Sequence, residues 1–267
     1  MPVDLLLVRN GTSEGALAIK KARMGDSAQL SHDIVKTHSS KWRLSEFGRI
    51  QAKSTGRWIR DNFKQPFNAF LTGEYVRSLE TAASLELPDA QWIPSLYLRP
   101  RDFGEFAALD YIKHDRVFTR SIKDRKRDAF YWTPPNGESI AHLTLRTERV
   151  IHWIRHHVPP EGSAIIVTHK DVMETMRIRI ERISQIDYSE RILCADDAIK
   201  LNYCSVLHYT RKNPINGTIE PMYRWFRVVT PWMGKKFLST PFQLIEHKKY
   251  NNDEILTEVS NIPTILD

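Results

Sequence analysis

Apolar and polar residues alternate along this chain in two distinct patterns. Short apolar runs predict buried strands at residues 4–8, 69–72 and 164–168. Stretches in which apolar residues recur with a helical period follow these runs, at 45–63, 76–85, 138–158 and after 168. Less regular apolar runs predict further strands near 91–98, 205–209 and 223–229.

This alternation predicts an α/β fold with three layers (α/β/α), in which a mostly parallel central sheet carries helices on both faces. We interpret residues 1–267 as one domain with a cap-like insertion at about 100–139 and a C-terminal extension at about 211–267. In sheets of this kind ligands collect at the carboxyl ends of the strands, where Arg9, Thr72 and His169 fall.

The composition is that of an ordinary globular protein, with 41% hydrophobic and 27% charged residues in 267. No apolar run is long enough to cross a bilayer, and the amino terminus lacks the pattern of a secretory signal. We therefore expect a cytoplasmic or nuclear protein without a membrane partner. Cys194 and Cys204 are interpreted as reduced core thiols, because no Cys/His spacing indicates a zinc site.

The formal net charge of +7 favours anionic partners, such as phosphorylated metabolites, phosphoproteins or nucleic acid. Basic residues crowd one segment of the predicted cap: Lys113, Arg116, Arg120, Lys123, Arg125, Lys126 and Arg127. We favour a solvated helix face for this segment. A weaker alternative is nucleic-acid binding, in which aromatic neighbours stack on bases: Tyr111, Phe118, Phe130, Tyr131 and Trp132.

Three positions combine the features that binding of a phosphoryl group requires, namely cations and backbone donors around charged oxygens. Arg9 ends the first predicted strand, and nearby Gly11 lets the backbone approach a ligand closely. Arg77 is predicted at the start of a helix, where the helix dipole and free amides favour an anion. His169 follows the most strand-like run of the chain, at a place where loops build sites.

The same segments resemble those of a known family. The stretch LLLVRNGTSEG at 5–15 is similar to the opening motif of the histidine phosphatase, or phosphoglycerate-mutase-like, superfamily, where an apolar strand runs into Arg-His-Gly. TGEYVRSLETA at 72–82 resembles its second signature, and IIVTH at 165–169 resembles the strand before its second histidine. Weaker connecting motifs occur in the family's order at 44–52 and 136–139.

The resemblance implies a phosphomonoesterase, with a mutase as the less favoured activity, that works through a phosphohistidine at position 10. It gives Arg9, Arg77 and His169 contacts to the phosphate. It implies no metal and no other cofactor, since arginines and histidines carry the family's chemistry. The expected partner is a phosphorylated small molecule or a phosphoprotein.

Position 10 departs from this pattern, because the chain has asparagine where the family has its nucleophilic histidine. An amide is not a nucleophile toward phosphorus, although it has a nitrogen near the position of the imidazole Nδ1. We therefore predict that Asn10 leaves the pocket able to bind phosphate but inactive or strongly impaired in transfer.

The proton donor also departs from the family's pattern. The family often has a glutamate four residues before the glycine of a motif like DFG at 102–104, and Pro100 occupies that position. Glu105 and Asp102 are the candidate acids, and Glu105 is preferred because it lies on a loop that can turn inward. Asp171 is displaced by one residue from the acid of another branch of the family and ranks lower.

These departures admit two explanations. Pro100, together with Ala16 where the family often has an asparagine, favours a natural loss of activity. The retained arginines and second histidine favour an active parent enzyme into which Asn10 was introduced. We favour the active parent, and the alternative is a silent protein that binds phosphorylated ligands or acts as a scaffold.

Overall fold

Seven strands form one mixed sheet at the centre of the computed structural model. In chain order they are β1 Asp4–Arg9, β2 Ala69–Gly73, β3 Trp92–Ser95, β4 Ser163–Thr168, β5 Val206–Thr210, β6 Trp225–Val229 and β7 Gln243–Leu244. The order across the sheet is β3-β2-β4-β1-β5-β6-β7. β1 to β4 pair in parallel with one another, whereas β5, β6 and β7 pair antiparallel to their neighbours.

The structure describes residues 1–26, 34, 36–108, 119–188, 192, 199–234, 239–247, 249–260 and 262–265. Several residues singled out in the sequence lie outside these ranges: Tyr111, Lys113, Arg116, Phe118 and Cys194. The backbone of Arg120 is described, but its side chain is not. Cys204 is a buried free thiol, as expected.

Helices connect and cover the strands of the sheet. Their bounds are α1 Glu14–Arg23, α2 Glu46–Asn62, α3 Val76–Ser84, α4 Glu105–Ala108, α5 Thr119–Arg127, α6 Ile140–His157, α7 Lys170–Glu181, α8 Gln185–Tyr188 and α9 Asn252–Ser260. Ser45 caps α2, the helix predicted at 45–63, since its hydroxyl accepts a hydrogen bond from the Gly48 backbone amide at 3.1 Å. No helix in the described part of the chain is long and apolar enough to span a membrane.

Two hydrophobic cores lie on the two faces of the sheet, which confirms the predicted three layers. Leu5 and Leu7 of β1 point into one core, which includes residues of α6 and α7. Leu6 and Val8 point into the other, which includes Ile59 of α2. Because β1 is buried on both faces, its sequence is a continuous apolar run instead of an alternating one.

The structure contains helices that the sequence interpretation did not predict, among them α1 and α9. α1 follows β1 directly, in a stretch that has no clear apolar period, and only Gly15 and Ala18 in it are buried. Ser13 supplies the local signal for it, because its hydroxyl accepts a hydrogen bond from the Ala16 amide at 3.2 Å. α9 lies in the predicted extension and has no buried residue.

The predicted late strands and the chain after them complete the sheet. β5 and β6 lie within a residue or two of their predicted positions, and β7 adds a short edge strand that the sequence did not reveal. A 3-10 turn, Pro231–Met233, follows β6 immediately. Because β6 and β7 lie in the predicted C-terminal extension, that extension contributes two strands to the sheet.

Candidate functional site

The carboxyl ends of the neighbouring strands β1 and β4 bring two of the predicted site residues side by side. Arg9 and Thr168 are register partners at the ends of these strands. The backbone N–H of Asn10 then donates to the Thr168 carbonyl at 2.7 Å, which continues the strand pairing by one residue. Asn10 and His169 therefore both lie at the start of the loops that leave the sheet here.

Asn10 is buried, and its side chain is fixed by its own backbone. Its Nδ2 donates to the carbonyl oxygen of Gly11 at 2.8 Å. An imidazole Nδ1–H at this position would have the same acceptor available, so the amide reproduces the local contact of a histidine. The shorter amide has no counterpart of the imidazole Nε2, which is the atom that would extend further from the backbone.

Glycine at position 11 is required by close packing. A Cβ there would lie 2.8 Å from the Gly48 carbonyl oxygen and 3.2 Å from the Cys204 sulfur. The Gly11 amide donates to Thr81 Oγ1 at 3.0 Å, and the Thr12 amide and hydroxyl both donate to Gln51 Oε1. The weak motif at 44–52 thus has a physical role, because it fixes the loop that carries position 10.

The Arg9 guanidinium is held by a loop that precedes β5. Its Nη1 donates to the Leu201 carbonyl at 2.6 Å. Its Cζ lies 3.8 Å from the centroid of the Tyr203 ring, which is a close cation–π contact. Burial lowers the pKa of Arg9, although the side chain stays charged at neutral pH.

Arg77 lies in the first turn of α3 and has a similar environment. Its Nη1 donates to the Ser39 carbonyl at 2.6 Å, and its Cζ lies 4.9 Å from the centroid of the Tyr75 ring. Burial lowers the Arg77 pKa to about 10, and the charge of Arg9 contributes to the lowering. Among the described residues, neither Arg9 nor Arg77 forms an ion pair with a carboxylate.

His169 immediately precedes α7 and is 5% exposed, yet its Nε2 has no hydrogen-bond partner in the described structure. The ring lies edge-on to Tyr75 at 5.7 Å between centroids. Burial lowers the His169 pKa well below 6.5, and the charges of Arg77 and Arg9 lower it further. These electrostatic effects place an imidazole whose neutral form is favoured near two guanidinium groups, at the predicted pocket.

The two preferred acid candidates lie outside this cluster. The Asp102 carboxylate accepts from the Gly104 amide at 2.8 Å, and Glu105 Oε1 accepts from Asn136 Nδ2 at 2.7 Å. Both residues are exposed, and neither is among the main charges that shift the pKa values of Arg9 or His169. Their role as proton donors stays a prediction.

Two other carboxylates lie closer to the pocket, in the first two turns of α7. The charges of Asp171 and Glu174 raise the pKa of Arg9. Glu174 is 7% exposed and forms an ion pair with Lys170, with 3.2 Å between Oε1 and Nζ. Burial raises the pKa of Glu174. The sequence interpretation missed Glu174. The four-residue spacing from Lys170 was its only signal, because the sequence does not show which face of α7 is covered.

A part-buried ion pair lies at the base of the predicted cap. Glu138 pairs with Arg146 at 2.9 Å, and Arg146 also donates to the Arg99 carbonyl at 3.1 Å. The charge of Arg146 contributes to the lowered pKa of His169. This explains the motif at 136–139, which immediately precedes α6 and places Glu138 opposite Arg146.

The described part of the basic segment lies on α5. Lys123, Arg125, Lys126 and Arg127 are exposed there. Arg125 is stacked over the Trp132 ring, with 5.4 Å between its Cζ and the ring centroid. These contacts are those of a solvated helix face with one arginine packed on an aromatic ring.

Comparisons with known proteins agree with this architecture. The model of the histidine phosphatase superfamily (branch 1) matches residues 5–210. A 2,3-bisphosphoglycerate-dependent phosphoglycerate mutase of Chelativorans sp. (strain BNC1) is 25% identical over 193 residues, which are 69% of this chain and 84% of that protein. A human 6-phosphofructo-2-kinase/fructose-2,6-bisphosphatase 3 is 23% identical over 133 residues, which are 50% of this chain and 24% of that protein.

Solved structures show the same fold at low sequence identity. A mycobacterial glucosyl-3-phosphoglycerate phosphatase, in complex with VO3, superposes with a TM-score of 0.60 at 17% identity, covering 78% of this chain and 92% of its own. A putative alpha-ribazole-5'-P phosphatase from Escherichia coli gives a TM-score of 0.59 at 16% identity, with coverage of 84% and 97%.

Proposed function

The chain belongs to the histidine phosphatase superfamily, and from this premise we propose that it binds the phosphoryl group of a phosphomonoester between Arg9, Arg77 and His169. Membership of this family confirms, at the level of the family, the predicted class of phosphoric monoester hydrolases. The proposal for this chain is binding with the transfer step disabled, because Asn10 occupies the position of the nucleophile.

The observation that carries the proposal is the unpartnered Nε2 of His169 beside two arginines that lack carboxylate partners in the described structure. A buried polar atom without a partner costs free energy, and so does an uncompensated pair of buried cations. A phosphate dianion offers acceptors to all three side chains at once. Hydrogen bonds between charged groups of this kind are among the strongest in proteins.

The chemistry of the site separates binding from transfer. With histidine at position 10, Nε2 would attack phosphorus in line, the P–O bond to the leaving group would break, and an acid would protonate the leaving oxygen. Water would then hydrolyse the phosphohistidine and release inorganic phosphate. With Asn10 the amide nitrogen has no available lone pair, so the bond to phosphorus does not form, while the arginine contacts are unaffected.

A second candidate function is phosphomonoester hydrolysis by the same fold with histidine at position 10. It is supported by the contact between Asn10 Nδ2 and the Gly11 carbonyl at 2.8 Å, which an imidazole Nδ1–H would also make. The backbone around position 10 is thus already suited to a histidine. In either case the ligand would be a phosphorylated small molecule or a phosphoprotein.

Titration calorimetry with inorganic phosphate and with vanadate tests the proposal. We expect the chain to bind both anions, and Arg77→Gln to lower the affinity for phosphate by at least about ten-fold, because a charge-assisted contact is lost. Arg57→Gln, at an exposed position of α2, is the matched control and should bind like the unmodified chain. The proposal would be refuted if the chain bound neither anion, or if Arg77→Gln and Arg57→Gln lowered the affinity for phosphate equally.

A further inference from the structure

An indole from the chain beyond the family match contacts the loop next to Arg9. Trp232 lies in the 3-10 turn Pro231–Met233, whereas the family model matches only residues 5–210. Its Nε1 donates to the Tyr203 carbonyl oxygen at 2.6 Å. Its ring packs edge-on against Phe47 of α2, with 5.4 Å between the centroids. The indole is therefore fixed on one side by α2 and holds a neighbouring loop on the other.

That loop supplies both contacts that fix the Arg9 guanidinium. The Leu201 carbonyl accepts from Arg9 Nη1, and the Tyr203 ring lies 3.8 Å from Arg9 Cζ. Leu201 and Tyr203 belong to a stretch without helix or strand before β5. The position of this stretch consequently decides where the guanidinium of Arg9 lies.

The same loop has a second attachment at Cys204. The Cys204 backbone is left-handed, with φ of 51°, a conformation that costs free energy for a residue with a side chain. Its amide donates to the Arg9 carbonyl at 3.1 Å, and its carbonyl accepts from Thr55 Oγ1 at 2.8 Å. These bonds fix the loop next to the strand, and the bond from Trp232 fixes it at Tyr203.

We propose that Trp232 is a positioning residue for phosphate binding, which holds the loop of Leu201 and Tyr203 against Arg9. The inference rests on the proposed function of the pocket. An arginine side chain loses many rotamers when it is immobilised on a ligand, and a guanidinium that is already held in place avoids most of that loss. The remaining N–H groups of Arg9 are then directed at the phosphoryl group before it arrives.

Trp232→Phe tests the inference, because it keeps an aromatic ring against Phe47 and removes only the N–H donor. Nuclear magnetic resonance of the Arg9 Nε–Hε group reads the position of the guanidinium directly, since the Tyr203 ring current shifts its signal. The signal is assigned with Arg9→Lys. We expect Trp232→Phe to move this signal toward that of an exposed arginine, and to weaken binding of inorganic phosphate by about three- to ten-fold.

Trp92→Phe is the matched control, because it makes the same change in β3 at the far edge of the sheet. It should change neither the Arg9 signal nor the affinity. Tyr203→Leu, which removes the ring and keeps the carbonyl acceptor, should reproduce both effects of Trp232→Phe. A double-mutant cycle with Arg9→Gln should show that Trp232→Phe has no further effect once the guanidinium is absent.

The outcomes separate the positioning role from the proposed function. An unmoved Arg9 signal in Trp232→Phe overturns the inference, and so does a moved signal with unchanged phosphate affinity. Equal effects of Trp92→Phe would reduce the result to general destabilisation and overturn it as well. If inorganic phosphate does not bind the unmodified chain, the proposed function fails, and the positioning role in phosphate binding fails with it, whereas the Arg9 signal still reports whether Trp232 holds the guanidinium.

Discussion

Two buried histidines lie toward opposite ends of the sheet and differ in their hydrogen bonding. His208, in β5, has partners on both ring nitrogens: Nε2 faces Asp4 Oδ1 at 2.7 Å, and Nδ1 accepts from Arg227 Nε at 3.3 Å. His169, past the end of β4, has no partner for its Nε2 in the described structure. Burial lowers the pKa of both.

Burial and a lowered pKa therefore do not by themselves mark a functional histidine. His208 is the centre of a complete hydrogen-bonded chain and packs edge-to-face against Phe63 and Phe242, which is a structural role. His169 is surrounded by cations and lacks one hydrogen bond, which a ligand can supply. Incomplete hydrogen bonding, together with charge of one sign, is what distinguishes the candidate site.

The largest expected effect comes from completing the site at position 10. In Asn10→His we expect hydrolysis of an aryl phosphate to rise by about 10⁴ to 10⁶, the scale on which loss of a covalent nucleophile lowers rates. The measurement is the release of the aryl alcohol, followed for both proteins at equal concentration. Asn10→Gln is the control and should stay inactive. A folded Asn10→His protein without turnover would rule out the hydrolytic candidate and leave phosphate binding as the function.

The next largest effects should separate the two histidines. His169→Gln should lower phosphate affinity by about ten-fold or more and change the free energy of unfolding little, since Nε2 has no protein partner to lose. His208→Leu should lower the free energy of unfolding by about 1–3 kcal/mol, because Asp4 loses its donor, and leave phosphate affinity unchanged. Calorimetry and urea unfolding measure the two quantities. If both variants lost affinity equally, the distinction between the two ends would be wrong.

The pH dependence of stability should sharpen the same comparison. In the folded chain both histidines have pKa values below 6.5, mainly because of burial, whereas the unfolded chain protonates near 6.5. Their contribution to stability is therefore complete above pH 6.5 and is lost as the pH falls toward the folded pKa values. The expected slope is at most about 1.4 kcal/mol per pH unit for each histidine. Urea unfolding at pH 7.5, 6.5 and 5.5 without phosphate should give a shallower slope for His169→Gln, and an unchanged slope would show that His169 is not neutral.

The smallest expected effect concerns the candidate acid Glu105. In the Asn10→His background, Glu105→Gln should change turnover by less than about two-fold, because the carboxylate is exposed and bonded to Asn136. Steady-state kinetics with the same aryl phosphate measures this. A loss of about 100-fold or more would instead establish Glu105 as the proton donor that the sequence predicted.

Much of the fold could be predicted, because the signals that define it are local. Buried parallel strands have continuous apolar runs, and Ser45 and the residues before α6 have recognisable helix-capping positions. α1 escaped prediction because few of its residues are buried, so that its apolar period is weak. β7 was not predicted because two residues are too few to show a pattern, and it is a strand only through its hydrogen bonds to β6.

The candidate site was predictable in its composition but not in its contacts. The motif order identified Arg9, Arg77 and His169, and strand ends indicated that they would converge. The sequence did not indicate that Ser39 and Leu201 supply carbonyl partners, because carbonyl groups are present in every residue. Nor did it show that Asp102 and Glu105 are exposed and bonded to Gly104 and Asn136, while Glu174 is buried.

The sequence by itself therefore determined the family, the order of strands and helices, and the residues at the strand ends, since each depends on periodicity or on a short motif. Only the tertiary structure decided which charges are paired and which are not. Asp4 and His208 are separated by 204 residues, and Arg9 and Leu201 by 192, yet each pair is hydrogen-bonded. Such pairing depends on which distant segments the fold brings into contact, and a local sequence pattern does not contain that information.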